Sequence, residues 1–120
     1  MADNLPGILK AIADENRLRI LCLLKEKPLY VCEIESILRT TQSNVSRHLA
    51  KLRDRGLIDA EKEAQFVRYK LNEGILKKYP FVLSIIEEAS KTKRCKKDIE
   101  TFRIMNPSGI SICKIKKSKD

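Results

Sequence analysis

The sequence predicts a mainly α-helical domain that carries one small β-hairpin. Apolar residues recur at three- and four-residue spacing as far as residue 55, which is the pattern of amphipathic helices. An alternating stretch follows at residues 57–71, and a proline at position 80 then opens another helical stretch. The chain has 120 residues, 42% of them hydrophobic, which suits one globular domain with a modest core.

Four helices are predicted in the N-terminal half. Pro6 fits the first turn of the first helix, and the polar residues 14–16 offer a cap for the second. Five consecutive apolar residues, Ile20 to Leu24, predict that the second helix is buried on most of its sides. Gly56 ends the fourth helix where a left-handed residue is favoured. The four ranges are about 5–13, 17–25, 30–39 and 41–55.

Two short strands are predicted within residues 57–71, joined near Glu63–Ala64. No glycine stands at that turn, so we expect a longer or looser loop than in a tight hairpin. Pro80 starts the last predicted helix, and the apolar pattern allows this helix to continue to Met105. Residues 106–120 hold a turn signal followed by either a strand or a disordered basic tail.

The fourth helix has one apolar face and one polar face. Val45, Leu49 and Leu52 fall at i, i+4 and i+7 and therefore face the core. The opposite side presents small, hydroxyl, amide and basic side chains. A helix in the major groove of DNA uses such side chains to read base edges, and its N-terminus can also contact phosphate. The residues predicted to contact DNA from this helix are Thr41, Gln42, Ser43, Asn44, Ser46, Arg47, His48 and Lys51.

The elements around this helix predict a winged helix-turn-helix that binds double-stranded DNA. Only residues 39–41 separate it from the third helix, and the hairpin that follows is placed as a wing. Lys62 and Arg68 on the wing are predicted to reach adjacent phosphates. For His48, a phosphate contact and a packed position on the helix flank both stay open. A winged helix that binds only other proteins is the alternative, and the polar start of the fourth helix argues against it.

Charge and motifs narrow the class of protein. The net charge is +9, concentrated in residues 91–120, and indicates a polyanionic partner such as nucleic acid. No apolar run has the roughly 18 residues that a membrane span requires. The first ten residues do not resemble a signal peptide, so we expect a cytoplasmic protein without a membrane partner. The sequence lacks the GxGxxG, P-loop, HExxH and GxSxG motifs, which argues against an enzyme.

Three stretches, LCLLKEKPLYVCEIESIL, TTQSNVSRHLAKLRDRGLI and EAQFVRYKL, resemble winged-helix repressors of the ArsR/SmtB family. The resemblance covers roughly residues 5–90. It implies a homodimeric transcriptional repressor, joined through its first and last helices, that binds an inverted-repeat operator. It also implies release from DNA when a metal ion, metalloid or oxidant engages the protein. The sequence thus predicts a DNA-binding and dimerisation domain at 1–90 and a basic, cysteine-containing extension at 91–120.

The four cysteines are the candidate effector site. One hypothesis is a three-thiolate site for arsenite or another thiophilic ion, formed by Cys32, Cys95 and Cys113. The family resemblance offers a second, a reversible redox or polysulfide bridge between Cys22 and Cys95. A third is that the thiols sense nothing. The family's zinc sites use Asp and His pairs on the last helix, and this chain has a single histidine, His48, so a zinc site of that kind is excluded.

Overall fold

The computed structural model describes residues 4–105, which form seven helices and a three-stranded sheet. The predicted turn near residue 106, the basic tail and Cys113 lie outside the described residues. In chain order the elements are α1 (Leu5–Ile12), α2 (Glu15–Glu26), β1 (Leu29–Tyr30), α3 (Val31–Leu38), α4 (Gln42–Asp54), β2 (Ile58–Glu63), β3 (Phe66–Leu71), α5 (Glu73–Lys78), α6 (Pro80–Ala89) and α7 (Lys93–Met105).

The first four predicted helices are confirmed, and their ends follow from local chemistry. The side chain of Asp14 accepts a hydrogen bond from the backbone N–H of Arg17 and so caps α2. Thr41 caps α4 in the same way, by accepting from the N–H of Asn44. Gly56 follows α4 with a φ of 73°, the left-handed conformation predicted for it.

The wing is tighter than the sequence predicted. Glu63 pairs with Phe66 across the β2–β3 ladder, so only two residues form the turn and the expectation of a loose loop was wrong. Ala64 makes this possible by adopting a φ of 57°, which costs an L-residue roughly 1–2 kcal/mol. The two-residue strand β1, absent from the prediction, pairs with β3 and gives the sheet the order β1-β3-β2.

The C-terminal part contains two more helices than predicted, α5 and α7. The short helix α5 fills the space between the wing and Pro80, which starts α6 as predicted. The expected continuation to Met105 was wrong, because α6 ends at Ala89 and α7 starts anew at Lys93. Thr92 explains the restart, since its hydroxyl accepts the backbone N–H of Cys95 and caps the first turn of α7.

Helix α2 runs through the centre of the core. Its segment Ile20–Leu23 has no exposed surface, in agreement with the prediction that this helix is buried on most sides. Helix α7 packs against it with Cys95, Ile99 and Phe102, so the core extends past residue 90, where the sequence placed the start of an extension. Among the described residues, no helix has the length and apolar character needed to cross a membrane.

Candidate nucleic-acid interface

Helix α4 turns its polar face outward. Ser43, Ser46 and Arg47 are exposed, whereas Val45 and Leu49 are buried in the core. This arrangement follows the predicted helical periodicity, and it leaves short hydroxyl side chains and a guanidinium on one open surface. Such a surface has the donors and the close backbone approach that base-edge recognition requires.

Asn44 organises the first turn of that surface. Its Nδ2 donates to the hydroxyl of Thr40 at 3.0 Å, and its backbone N–H donates to Thr41 at 3.1 Å. Its carbonyl oxygen Oδ1 accepts from the guanidinium of Arg47. Asn44 therefore links the turn before α4 to the exposed arginine one turn later.

The turn between α3 and α4 holds an arginine in an unusual conformation. Arg39 caps α3 with a φ of 57° and a ψ of 46°, and its N–H donates to Glu35 at 2.9 Å. A left-handed cap reverses the chain within one residue. This cap lets α4 start at Gln42 and produces the predicted helix-turn-helix.

His48 lies on the flank of α4 and faces the protein. Its side chain is 15% exposed, and its Nδ1 lies 3.2 Å from the guanidinium of Arg17 and 3.9 Å from the carboxylate of Asp14. Burial lowers the pKa of His48, and the nearby cation of Arg17 acts in the same direction against the opposing effect of Asp14. Of the two positions left open for His48, the structure shows the packed one.

The wing holds its cations in ion pairs. Arg68 lies 3.4 Å from Glu61 and 3.9 Å from Glu63, and Lys70 lies 3.3 Å from Glu61. Lys62 is exposed on the opposite face of β2. The two cations predicted for phosphate contact therefore differ, since Arg68 is already paired with carboxylates and Lys62 points to solvent.

Two free thiols meet in the core between α2 and α7. Cys22 is fully buried and Cys95 is 4% exposed, and Cys95 lies close enough to act on the pKa of Cys22. The Cys22 thiol donates to the backbone carbonyl of Ile86 at 3.7 Å. Burial raises the pKa of Cys22 to about 12. Arg19, one turn before Cys22, makes two hydrogen bonds to the buried carboxylate of Asp98, one turn after Cys95. The hydrogen-bonded carboxylate of Asp98 raises the pKa of Arg19.

The other predicted cysteine set is only partly described. Cys32 is half-buried in the first turn of α3, and it is not one of the two free thiols. Cys113 lies outside the described residues. Within residues 4–105, no group of three or more His, Cys, Asp or Glu side chains is arranged to hold a metal ion. The described residues thus bring Cys22 and Cys95 together and leave the three-cysteine set untested.

Sequence reasoning missed three buried charges, Arg17, Glu33 and Asp98. A signal was present, because Arg17 falls on the same helical stripe as Ile20, Leu21 and Leu24, where only apolar residues are expected. A lone charged residue on an apolar stripe indicates a buried charge with a specific partner.

The chain is similar to proteins of one regulator family. Residues 14–60 match bacterial regulatory proteins of the arsR family. The transcriptional activator HlyU of Vibrio cholerae is 51% identical over 65 residues, which are 54% of this chain and 60% of HlyU, so this chain spans about three fifths of that relative. The arsenical resistance operon repressor of Escherichia coli is 40% identical over 83 residues, 68% of each chain.

Solved structures agree with this similarity. Reduced HlyU from Vibrio cholerae matches with a TM-score of 0.62 and 40% identity, over 75% of this chain and 88% of that one. The homodimeric winged helix-turn-helix DNA-binding domain of a possible ArsR-family transcriptional regulator from Mycobacterium bovis matches with a TM-score of 0.62 and 26% identity. That match covers 72% of this chain and 82% of the other.

The fold and these neighbours define a winged helix-turn-helix domain of the class found in transcription regulators. Within that class, the chain belongs to the ArsR family. The predicted fold class and the family resemblance are both confirmed.

Proposed function

We propose that this protein is a homodimeric repressor that leaves its operator when Cys22 and Cys95 are oxidised to a disulfide or polysulfide bridge. The operator is an inverted repeat, because a two-fold dimer presents its two α4 helices to two equivalent half-sites. One observation supports the regulatory part: the two free cysteines among residues 4–105 are neighbours in the buried contact between α2 and α7. The arsenite site of Cys32, Cys95 and Cys113 is the competing hypothesis.

Oxidation by a peroxide proceeds in two balanced steps. A thiolate attacks one peroxide oxygen, the O–O bond breaks, and a sulfenic acid and hydroxide form. The second thiol then displaces the sulfenic oxygen, which leaves as water, and a sulfur–sulfur bond forms. Cys22 remains a neutral thiol at neutral pH because its pKa is about 12. We therefore place the first attack at Cys95, in the first turn of α7.

Helix α2 connects this chemistry to DNA. A disulfide requires the two sulfur atoms to be about 2 Å apart, closer than any hydrogen-bonded contact, so oxidation draws α2 and α7 together. The same helix α2 carries Arg17, which contacts His48 on α4. A shift of α2 thus reaches the helix that faces DNA, and the oxidised dimer fits its two half-sites less well.

The test uses a duplex that the reduced protein selects from a randomised pool. Its affinity is measured by fluorescence anisotropy for reduced protein, for protein treated with hydrogen peroxide or sodium tetrasulfide, and for treated protein after dithiothreitol. We expect a reversible loss of about tenfold or more, which corresponds to roughly 1.4 kcal/mol of coupling. Intact mass should show the loss of two hydrogens with peroxide, or added sulfur with tetrasulfide.

Three variants make the test specific. Cys22→Ser and Cys95→Ser should bind DNA when reduced and keep binding after oxidation, whereas Cys32→Ser should respond as the wild type does. In Cys22→Ser, dimedone should trap a sulfenic acid at Cys95. Oxidant responses unchanged in both Cys22→Ser and Cys95→Ser would contradict the proposal. Release by arsenite that Cys32→Ser abolishes would favour the three-thiolate site instead.

A further inference from the structure

Arg17 is a buried cation that joins three elements. The residue is 9% exposed, and its Nε donates to the carbonyl of Ala11 at 2.6 Å. A second donor reaches the carbonyl of Lys10 at 3.4 Å, so the guanidinium satisfies the C-terminal end of α1. The nearest carboxylate oxygen, on Asp14, lies 3.9 Å away, which is too far for a hydrogen bond.

The Nη1 group of Arg17 points at helix α4. Its Nη1 lies 3.2 Å from Nδ1 of His48, across 31 residues of sequence. A guanidinium only donates hydrogen bonds, so Nδ1 must accept, which requires a neutral imidazole with its proton on Nε2. His48 precedes Leu49, which is buried, and follows Arg47, which is exposed on the polar face. The contact therefore fixes the rotation of α4 about its own axis.

We propose that Arg17 is a positioning residue for the recognition helix, acting through neutral His48, and that sequence-specific DNA binding weakens when His48 gains a proton. Protonation removes the acceptor at Nδ1 and places a second cation 3.2 Å from the guanidinium. The helix must then turn or shift to separate the two charges. The proposal concerns DNA recognition alone, and it stands or falls independently of thiol oxidation.

The charges around His48 set the direction of the pH effect. Arg17 on α2 and Arg47 and Lys51 on α4 disfavour protonation, Asp14 favours it, and burial has the largest effect and disfavours it. The pKa of His48 in the folded protein is therefore below the usual 6.5. The stabilisation from the neutral contact is fully present above about pH 6.5 and is lost as the pH falls through the lowered value.

The experiment measures affinity for a selected duplex and for a scrambled duplex of equal length, at constant salt, from pH 7.5 to pH 5.0. At low pH carboxylates become protonated, and the more positive protein binds the phosphates of any duplex more tightly. The ratio of the two affinities cancels this general effect. For the wild type we expect this ratio to fall about tenfold, which is the loss expected when one base contact is misplaced. His48→Gln supplies an untitratable acceptor and should keep the ratio constant across the range.

NMR provides a second readout, because His48 is the single histidine in the sequence. The imidazole titration midpoint should coincide with the midpoint of the affinity ratio, and Arg17→Gln should raise it by removing the cation. Arg17→Lys keeps the charge but loses the planar guanidinium with its several donors, so it should lower the ratio of selected to scrambled affinity at pH 7.5.

A wild-type affinity ratio that stays constant or rises in acid would overturn the proposal, since a rise is the behaviour of a histidine that contacts phosphate. An equal fall in His48→Gln, or an NMR midpoint unmoved by Arg17→Gln, would overturn it as well.

Discussion

The recognition helix and the wing both carry basic side chains, but they hold them in different electrostatic states. On α4, Arg47, Lys51 and Arg53 are exposed and form no ion pair with any of residues 4–105. On the wing, Arg68 and Lys70 are paired with carboxylates of β2. The helix thus presents uncompensated positive charge to a polyanion, and most of the wing's charge is already neutralised.

The difference comes from geometry that residue type does not reveal. Glu61 is the cross-strand partner of Arg68 in the β2–β3 ladder, so the two side chains share one face of the sheet. Lys62 alternates to the other face and pairs across the ladder with Val67, an uncharged neighbour. A basic residue on a strand is therefore available to phosphate only when its cross-strand neighbours are not acidic.

The largest expected effect comes from an anion on the polar face of α4. Ser46→Asp should reduce affinity for the selected duplex by roughly a hundredfold or more, through repulsion and the loss of a base-edge contact. Circular dichroism should show an unchanged thermal midpoint, because Ser46 is exposed. Ser46→Ala is the matched control and should lose less than about tenfold. Binding by Ser46→Asp at wild-type strength would show that this face does not meet DNA.

A pair of arginine substitutions tests the comparison directly. Arg47→Ala should weaken binding by about tenfold or more and reduce the salt dependence, because its charge is uncompensated. Arg68→Ala should weaken binding by less than about threefold, since its charge is shared with Glu61 and Glu63 in the free protein. Anisotropy titrations at two salt concentrations give both quantities. Equal losses in the two variants would mean that the wing's ion pairs open on DNA.

Removing a wing carboxylate should give the wing uncompensated positive charge, as on α4. Glu61→Gln releases Lys70 and leaves Arg68 only its longer ion pair with Glu63, and it should raise affinity for selected and scrambled duplexes alike, by about two- to fivefold. Glu100→Gln changes the net charge equally on an exposed site of α7 and serves as the control. If both variants gain the same affinity, the effect is one of net charge and not of the released wing cations.

The smallest expected effect concerns the wing turn. Ala64→Gly removes the cost of a left-handed alanine but adds freedom to the unfolded chain. We expect the free energy of unfolding to rise by less than about 1 kcal/mol, measured by urea denaturation, with DNA affinity unchanged. A fall in affinity would indicate that the rigidity of this turn positions the wing on DNA.

Much of the architecture could be predicted because it depends on local patterns. The caps Asp14 and Thr41, the helix end at Gly56 and the outward polar face of α4 all follow from residue type and periodicity. Strand β1 was missed because two residues carry too little pattern. The separate start of α7 was missed because the capping role of Thr92 competes with an apolar pattern that continues past it.

The candidate effector site was likewise predicted in part: the sequence indicated the residues, and only the structure gave their packing. The sequence supplied four cysteines and, through the family resemblance, the pairing of Cys22 with Cys95. Their proximity, their burial and the adjacent Arg19–Asp98 ion pair depend on how α7 packs on α2, a contact between residues more than 70 positions apart. No local pattern encodes such a distance.

The sequence by itself determined which faces of the helices are apolar, where the first four helices begin, and that a polar helix would stand before a hairpin. These properties depend on backbone and side-chain preferences within a few residues. Only the tertiary structure decided which charges are free and which are paired, that His48 faces Arg17, and that two thiols distant in sequence are neighbours in the core. Those outcomes depend on the packing of elements remote in sequence, where burial and a few ångströms of separation set the energy of every charge.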